Sequence, residues 1–283
     1  MPNLKNIMHA KPIQRSDLRL FCGRVYFTCK RHVIWRVGGI KFAKPLHYTS
    51  SQPLTYQYAS HKTPLLRKLK DVDMYLQHNK INNLKIAIPK INNIVLYPGE
   101  VFSFWKLIGK PTKRKGYKPG MVLKSGTVTA NTGGGLCQLS NLIYWMTIHT
   151  PLTVKERHRH GYDVFPDSNR TQPFGSGATC FYNYGDLMIQ NNTSSIFQLT
   201  LNITEHDLEG AWLCDKPPSY KYEVYEKEHV MCSQYWGGYT RHNTIYRRKY
   251  DISGNLLADE YVVENHAIMM YAPFLEDKST PRH

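Results

Sequence analysis

The chain is organised around Gly133-Gly134-Gly135-Leu136-Cys137-Gln138-Leu139-Ser140, where three glycines run directly into a cysteine and a helical apolar pattern begins. Apolar residues then recur at three- to four-residue spacing, at Leu136, Leu139, Ile143 and Met146. This spacing predicts a helix from about Leu136 to about His149, which Thr150-Pro151 would end. The cysteine therefore lies in the first turn of a predicted helix.

A thiol in the first turn of a helix is well placed to act as a nucleophile. The unpaired N–H groups and the positive end of the helix dipole favour thiolate over thiol there. Glycines also let a substrate backbone approach closely. The competing interpretation is that Cys137 is a buried structural cysteine beside a glycine turn, because free cysteine is among the most buried residue types.

Almost all of the formal charge of +16 on the 283 residues lies in two short blocks. Residues 1–45 contain ten Lys and Arg against the single acid Asp17, and residues 106–118 contain six Lys and Arg and no acid. Such blocks attract polyanions, which include anionic lipid headgroups, teichoic-type wall polymers and nucleic acid. The sequence carries no RNA- or DNA-reading signature, so we expect no specific nucleic-acid partner.

The composition predicts a packed globular protein, with 41% hydrophobic residues and six scattered cysteines that lack the density of a disulfide scaffold. No CxxC pair occurs, which argues against structural zinc, and no cofactor is expected. Cations interrupt every apolar run near the N-terminus, so neither a signal-peptide core nor a membrane span is predicted. The expected location is cytoplasmic, either free or peripheral to a membrane.

The N-terminal segment from Asp17 to Phe42 mixes apolar residues with cations at roughly helical intervals. This pattern predicts one or two basic amphipathic helices, which would lie on an anionic membrane face or pack on the main domain with their cations in water. Tyr48 to Thr63 is polar, aromatic and proline-bearing, and is predicted to be an irregular linker. A second helical pattern follows between Leu65 and Leu76.

In the centre of the chain, Leu84 to Ile94 has helical spacing, but Pro89 would kink or shorten the helix. Val95 to Trp105 predicts two short strands joined by a turn at Pro98-Gly99. Lys110 to Gly120 is a cationic loop that leads into a strand and turn. Further strands are predicted at Leu152 to Glu156, Ala178 to Tyr184, Leu187 to Gln190, Ile196 to Ile203, Tyr220 to Tyr225, Thr244 to Tyr250 and Leu256 to Val263.

A cysteine nucleophile needs a base, and usually a third group that orients the base. His158 and His160 stand out among the thirteen histidines because they follow the predicted strand after the cysteine helix. Histidines at i and i+2 on a strand share a face, so one would act and the other support it. Asp163 and Asp186 are the nearest orienting carboxylates. The competing interpretation is a pair of surface histidines in an Arg-rich turn.

Four separated motifs stand in order along the chain. They are Pro98-Gly99-Glu100-Val101-Phe102-Ser103-Phe104, Gly133-Gly134-Gly135-Leu136-Cys137-Gln138, Glu156-Arg157-His158-Arg159-His160, and the segment from Asp186-Leu187 to Asn191-Asn192-Thr193. In order and spacing they resemble the VanW family, over about residues 80–204. The resemblance implies peptidoglycan-related work, and some VanW-domain proteins are thought to act as cysteine L,D-transpeptidases.

Carried over, the resemblance implies that Cys137 attacks the carbonyl of the third stem-peptide residue and expels D-Ala. A neighbouring stem amine would resolve the thioester into a 3→3 cross-link. The partner implied is therefore a peptidoglycan stem peptide or its precursor. The implied catalytic residues are Cys137, His158, His160 and Asp186. The implied oxyanion and substrate-binding residues are Gly133, Gly134, Gly135, Gln138, Ser140 and Arg157.

The sequence departs from the family pattern at Gly177-Ala178-Thr179, where the broader family often has Asp-Ala-Thr. The role of that acid would be absent here or moved to Asp163 or Asp186. The lack of a predicted export signal would direct the protein to cytoplasmic precursors or to an accessory role.

The sequence thus predicts an α+β fold, in which a Cys-bearing helix packs on antiparallel strands. The predicted domains are a basic N-terminal segment at 1–60, a VanW-like domain at 61–204 and a β-rich C-terminal extension at 205–283. The expected function is in peptidoglycan metabolism and glycopeptide resistance, through cysteine-dependent acyl transfer on stem peptides or their precursors. The alternatives are a non-catalytic binding or accessory protein, and a zinc site formed by Cys137, His158 and His160.

Overall fold

The structure, a computed structural model, describes residues 13, 15–44, 53–66, 73–124, 126–165 and 172–273. Its helices are α1 (Asp17–Val37), α2 (Met74–Ala87), α3 (Phe104–Ile108) and α4 (Cys137–Thr147), with short 3-10 helices at Ile88–Lys90 and Lys113–Lys115. Its strands are β1 (Tyr56–Pro64), β2 (Ile94–Leu96), β3 (Val101–Ser103), β4 (Pro119–Lys124), β5 (Thr127–Thr132), β6 (Thr153–Glu156), β7 (Tyr162–Asp163), β8 (Met188–Gln190), β9 (Phe197–Ile203), β10 (Asp207–Cys214), β11 (Tyr220–Ser233), β12 (Tyr239–Asp251) and β13 (Leu256–Met269). Helices and antiparallel strands occur together, which confirms the predicted α+β class.

The strands form four sheets in the described part of the chain. The first has the order β1-β10-β9-β2 and is antiparallel throughout. A smaller sheet has the order β3-β8-β6, and β4 pairs with β5 as a hairpin. In the fourth sheet, of order β11-β12-β13-β7, the three long C-terminal strands are antiparallel, and the short strand β7 pairs with β13 in parallel.

Helix α4 forms the centre of the main core and packs on strands β1 and β10. Its residues Leu139, Leu142 and Ile143 are fully buried, as the three- to four-residue spacing requires. The Trp212 indole N–H on β10 donates to Thr147 Oγ1 at 3.0 Å. The predicted cysteine helix is confirmed, and it ends at Thr147, close to the expected stop.

The N-terminal segment forms the single helix α1, which confirms the helical prediction. Its Ser16 cap accepts a hydrogen bond from the Arg19 backbone N–H at 3.4 Å. The helix contacts the rest of the protein through its last turns, where Arg31 is buried and Trp35 donates to Ser103 Oγ at 3.2 Å.

Two predictions about local structure are wrong. Residues 56–64 form strand β1 and not a linker, because an edge strand with one partly buried face tolerates polar residues. Ala178 to Tyr184 contains only isolated bridges, since the chain reverses where Phe181 and Gly185 exchange two backbone hydrogen bonds. Of the helical pattern between Leu65 and Leu76, residues 67–72 lie outside the described residues, Leu65 and Leu66 are not helical, and Leu76 lies in α2.

Other local predictions are confirmed. Helix α2 ends at Ala87, two residues before Pro89, and continues as a 3-10 turn. Strands β2 and β3 flank the Pro98-Gly99 turn, but they belong to different sheets.

None of the helices in the described ranges is long and apolar enough to cross a membrane.

The two predicted domain boundaries, near residues 60 and 204, both fall within one sheet, β1-β10-β9-β2. Strand β1 spans residue 60, and β10 lies beyond residue 204 but in the same sheet as β9. Strand β7 in turn belongs to the C-terminal sheet. The boundaries themselves stay predictions, and the unfolding experiment described below tests the second one.

Candidate functional site

Cys137 is the first residue of α4, and its thiol lies against the segment 178–181. The Sγ atom is 3.9 Å from the backbone oxygen of Cys180. Burial raises the pKa of the Cys137 thiol, and hydrogen bonds from the backbone at Cys180 and at Cys137 itself offset only part of the rise. Burial therefore favours the protonated thiol over the thiolate that the sequence suggested, because it disfavours the charged form.

The three glycines before Cys137 form a turn that packs tightly on the neighbouring hairpin. Gly133 and Gly135 have φ of +79° and +89°, in the left-handed region that favours glycine. A Cβ at Gly134 would lie 2.0 Å from the backbone oxygen of Gly120 on β4. The glycine turn therefore allows the backbone to pack closely on the hairpin at Gly120.

Asn83 of α2 fixes the glycine turn to the hairpin. Its side-chain amide donates to the backbone oxygens of Gly134 and Lys118 at 2.9 and 3.0 Å, and its Oδ1 accepts from the Lys118 N–H at 2.8 Å. Asn83 is fully buried. One side chain thus connects α2, the residue before β4 and the turn that precedes Cys137.

Gln138 and Ser140 attach α4 to its surroundings. Gln138 Nε2 donates to Thr63 Oγ1 and to the Pro64 backbone oxygen, each at 2.9 Å. Ser140 Oγ donates to the Ala178 backbone oxygen at 2.6 Å. Both residues therefore fix the position of the cysteine helix relative to β1 and to the segment 178–181.

His158 is oriented by a carboxylate, and that carboxylate is Glu156. His158 Nε2 lies 2.7 Å from Glu156 Oε1, and 42% of the His158 side chain is exposed. Glu156 also accepts two hydrogen bonds from Arg31 of α1, one of them from Nη1 at 2.7 Å. The backbone N–H of Asp186 donates to the same Oε1 at 3.0 Å.

These partners keep Glu156 ionised. Burial by itself would raise the pKa of Glu156, but hydrogen bonds from His158, Arg31 and the Asp186 backbone, with the Arg31 charge, lower it to about 2. The charged carboxylate of Glu156 thus lies 2.7 Å from Nε2 of His158 and fixes the orientation of the ring.

His160 has a different environment from His158. Its ring packs edge-on against Phe181, with centroids 5.6 Å apart. Burial, with a smaller contribution from the Arg159 charge, lowers the pKa of His160 to about 4. His160 is therefore neutral at pH 7.

Asp186 is fully buried and caps α3. Its Oδ2 accepts from Ser103 Oγ at 2.5 Å, and its Oδ1 accepts from the backbone N–H groups of Trp105 and Leu187, each at 2.9 Å. Burial raises the pKa of Asp186 to about 6. The Asp186 carboxylate thus contacts the start of α3 and not His158. The Asp186 backbone N–H is linked to His158 only through Glu156.

Asp163 lies away from this cluster, in the C-terminal sheet. Its Oδ2 accepts from Tyr271 OH at 2.9 Å and from Arg241 Nη1 at 3.3 Å. At Gly177 there is no room for a side chain, because a Cβ there would lie 2.6 Å from Asn141 Oδ1. That oxygen accepts from the Ala178 N–H at 2.8 Å.

Arg157 points away from His158 and joins the site to the C-terminal sheet. Its guanidinium donates to the backbone oxygens of Gly177, at 2.9 Å, and Gly175, and to Asn265 Oδ1 at 3.0 Å. It also lies over the Tyr144 ring, 5.0 Å from the centroid. These contacts position the loop 175–177 beside α4.

The predicted nucleophile and bases lie on adjacent segments. Thr179 N–H donates to the His158 backbone oxygen at 2.8 Å, and the next residue is Cys180, whose oxygen contacts the Cys137 thiol. In the described part of the chain no hydrogen bond joins Cys137 to His158 or His160. Nor do the described residues include three His, Cys, Asp or Glu placed to hold a metal ion, which argues against the zinc alternative.

Sequence reasoning missed two residues of this cluster, Glu156 and Arg31. A signal for Glu156 was present, because Glu156 and His158 stand at i and i+2, at the end of a predicted strand, and so share a face. No local signal identifies Arg31, which lies 125 residues from Glu156 in the chain.

Residues 79–213 match the family model described as VanW like protein. The chain is 37% identical over 152 residues to the vancomycin B-type resistance protein VanW of Enterococcus faecalis, covering 54% of this chain and 55% of that protein. It is 29% identical over 113 residues to the uncharacterized protein YoaR of Bacillus subtilis, covering 40% of this chain and 36% of that protein. The matches thus span about half of one relative and about a third of the other. No solved structure matches the chain.

Proposed function

Because residues 79–213 belong to the VanW family, we propose that this chain is a cysteine-dependent acyltransferase acting on peptidoglycan stem peptides or their precursors. The observation that carries the proposal is the Glu156–His158 pair. The His158 backbone bonds to Thr179, and the next residue, Cys180, contacts the Cys137 thiol. The name of the enterococcal relative supports a role in vancomycin resistance.

In this proposal His158 is the base. The Cys137 thiol needs one, because burial raises its pKa. Nε2 of His158 faces the Glu156 carboxylate and is assigned as the N–H, which leaves the Nδ1 lone pair to accept the thiol proton. Glu156 then stabilises the imidazolium, as the acid of a catalytic triad does.

The proposed reaction has two balanced steps. Sγ of Cys137 bonds to the carbonyl carbon of the third stem residue, the C–N bond to D-Ala breaks, and His158 gives its proton to the departing amine. An amine of a second stem peptide then attacks the thioester carbon, and its proton returns through His158 to the sulfur. Backbone N–H groups at the start of α4 supply the oxyanion site in this scheme.

A thioester trapping experiment tests the proposal. The full chain is incubated with a stem tetrapeptide that ends in one D-Ala, quenched in acid and weighed by intact-protein mass spectrometry. We expect an adduct equal in mass to the tetrapeptide minus one D-Ala molecule, in the wild type and in Cys232→Ala but not in Cys137→Ala. Absence of the adduct from the wild type, or its presence in Cys137→Ala, would refute the proposal.

The two histidines provide a matched pair of variants for the same experiment. Replacing the base should lower the rate of thioester formation by roughly 100-fold or more. The rate should therefore fall in His158→Gln and change little in His160→Gln. Glu156→Gln should move the pH dependence of the rate, since the imidazolium loses its partner. Equal losses in both histidine variants would contradict the assignment of His158.

A non-catalytic role in holding a wall precursor is the second candidate. The observations that favour it are the raised pKa of the Cys137 thiol and the glycine turn packed on Gly120. In that case Cys137→Ala binds a labelled stem peptide as tightly as the wild type, and no adduct forms in either.

A further inference from the structure

Helix α1 exposes an unusual number of large apolar side chains. Eight of them are between 44% and 77% exposed: Leu18, Leu20, Phe21, Val25, Tyr26, Phe27, Val33 and Val37. Within the helix only Arg31 is buried. Single exposed apolar residues are ordinary on a protein surface, but a contiguous set on one helix marks a binding surface.

The apolar residues continue along the side of α1 that faces away from the protein. At about 100° per residue, Leu18, Val25 and Val33 lie within about 80° of one another. Arg31, which attaches the helix to Glu156, lies roughly 150° from their centre. The first three turns, with Leu20 and Phe27, expose apolar side chains around the rest of the circumference as well.

Cations accompany these apolar residues. The exposed ones on and next to α1 are Arg15, Arg19, Arg24, Lys30 and Arg36. Asp17 is the only acid between residues 1 and 45. Long basic side chains lie along apolar surface while their charges reach a polar boundary, so the two sets are compatible with one partner.

We propose that α1 binds the surface of an anionic lipid bilayer, with its apolar side chains in the acyl boundary and its cations at the headgroups. Charge complementarity favours an anionic partner, and the exposed apolar side chains require one with an apolar interior. A nucleic acid or a wall polymer satisfies only the first condition. A second copy of α1 would bring like charges together.

The attachment of α1 places the bilayer close to the candidate site. Arg31 bonds to Glu156, and Glu156 also holds His158. Val25 lies six residues before Arg31, which is about 9 Å along the helix axis. Membrane binding is independent of catalysis, but it would present the site to substrates anchored in the same membrane.

Vesicle flotation of the full-length protein tests the proposal. Vesicles of phosphatidylcholine with one quarter phosphatidylglycerol should carry the protein upward at physiological salt, and pure phosphatidylcholine vesicles should not. The triple variant Leu18→Ser, Val25→Ser, Val33→Ser should lose binding. The control Leu256→Ser, Leu257→Ser removes exposed apolar residues of β13 and should bind as the wild type does.

A second variant set separates the helix from general basicity. Arg19→Gln, Arg24→Gln, Lys30→Gln should weaken binding by roughly 100-fold, since each cation near an anionic surface contributes about a factor of five. Lys113→Gln, Arg114→Gln, Lys115→Gln removes the same charge from the exposed loop and should have a small effect. Far-UV circular dichroism confirms that each variant retains its helices.

Several outcomes would overturn the proposal. Equal flotation with neutral and anionic vesicles would show that the α1 cations do not contribute to binding. Equal loss of binding in the helix and loop charge variants would show that binding depends on net charge and not on α1. A wild-type dimer in solution that the serine variant dissociates, without vesicle binding, makes a second copy the partner of α1.

Discussion

At the scale of single residues, Glu156 is the hub of the candidate site. It accepts hydrogen bonds from Arg31, His158 and the backbone of Asp186, so one carboxylate connects α1, β6 and the segment before β8. A buried charge is tolerated only when it is paired. Removal of one partner leaves the other charge buried without compensation, which is strongly destabilising. Glu156 therefore affects both stability and the orientation of His158.

This arrangement predicts how stability depends on pH. The pKa of Glu156 falls from 4.5 to about 2 on folding, so its contribution is complete above the unfolded value and is lost as pH falls toward about 2. The shift corresponds to stabilisation on the order of 3 kcal/mol at most, because part of the carboxylate faces water, which screens the interaction. Glu156→Gln should lower the unfolding free energy by about this amount at pH 7, and the difference should shrink between pH 4.5 and 2. Urea titrations at a series of pH values measure it.

The control for Glu156 is an exposed ion pair in the C-terminal sheet. Glu223 lies 3.5 Å from Arg248, and both side chains are largely exposed. Glu223→Gln should cost less than about 1 kcal/mol, because water and salt screen such pairs. A constant difference between wild type and Glu156→Gln from pH 7 to pH 2 would rule out the ionic explanation.

At the scale of elements, the turn before α4 depends on contact between two backbones. Gly134 and Gly120 approach so closely that a Cβ on Gly134 would lie 2.0 Å from the Gly120 oxygen. A backbone clash of this kind cannot be relieved by turning a side chain. The position of Cys137 therefore depends on glycine at Gly134.

Gly134→Ala should destabilise the protein by about 3 kcal/mol or more, since the turn and hairpin must separate. Gly161→Ala is the matched control, because an added Cβ there meets nothing within 4 Å. That change should stay within about 0.5 kcal/mol. Thermal unfolding measures both variants, and equal stability of the two would show that the glycine turn is not packed as described.

At the scale of the whole molecule, the C-terminal strands β11, β12 and β13 are joined to the earlier part of the chain by buried polar contacts. Arg241 pairs with Asp163, and Asn243 donates to the Phe174 backbone oxygen at 2.6 Å. Arg247 donates to the backbone oxygens of Ile148 and Thr150, just after α4. Separation of the sheet would leave these groups without partners, at a cost of about 1–3 kcal/mol each.

We therefore expect residues 205–273 to unfold together with the rest of the chain. Scanning calorimetry should show one thermal transition, with a calorimetric enthalpy equal to the van't Hoff enthalpy. Arg241→Met should lower the temperature of that single transition, because the buried Asp163 loses its cationic partner and keeps only the hydrogen bond from Tyr271. Two resolved transitions would instead support an independent C-terminal domain beginning near residue 205.

The candidate site was only partly predictable from the sequence. The motif around Cys137 and the strand before His158 were identified, because periodicity and turn residues are local signals. Asp186 was expected to orient a histidine, yet its carboxylate caps α3 and Glu156 holds His158 instead. Which of several carboxylates meets a histidine depends on how distant segments pack.

The sequence by itself determined the α+β class, the helix that begins at Cys137, most of the strands, and the family motifs, because hydrophobic spacing and turn residues act over a few positions. Only the tertiary structure decided the raised pKa of the thiol, the packed glycine turn and the Arg31–Glu156 contact. The physical reason is that burial and charge pairing depend on residues far apart in the chain: Arg31 and Glu156 are 125 positions apart, yet their side chains meet.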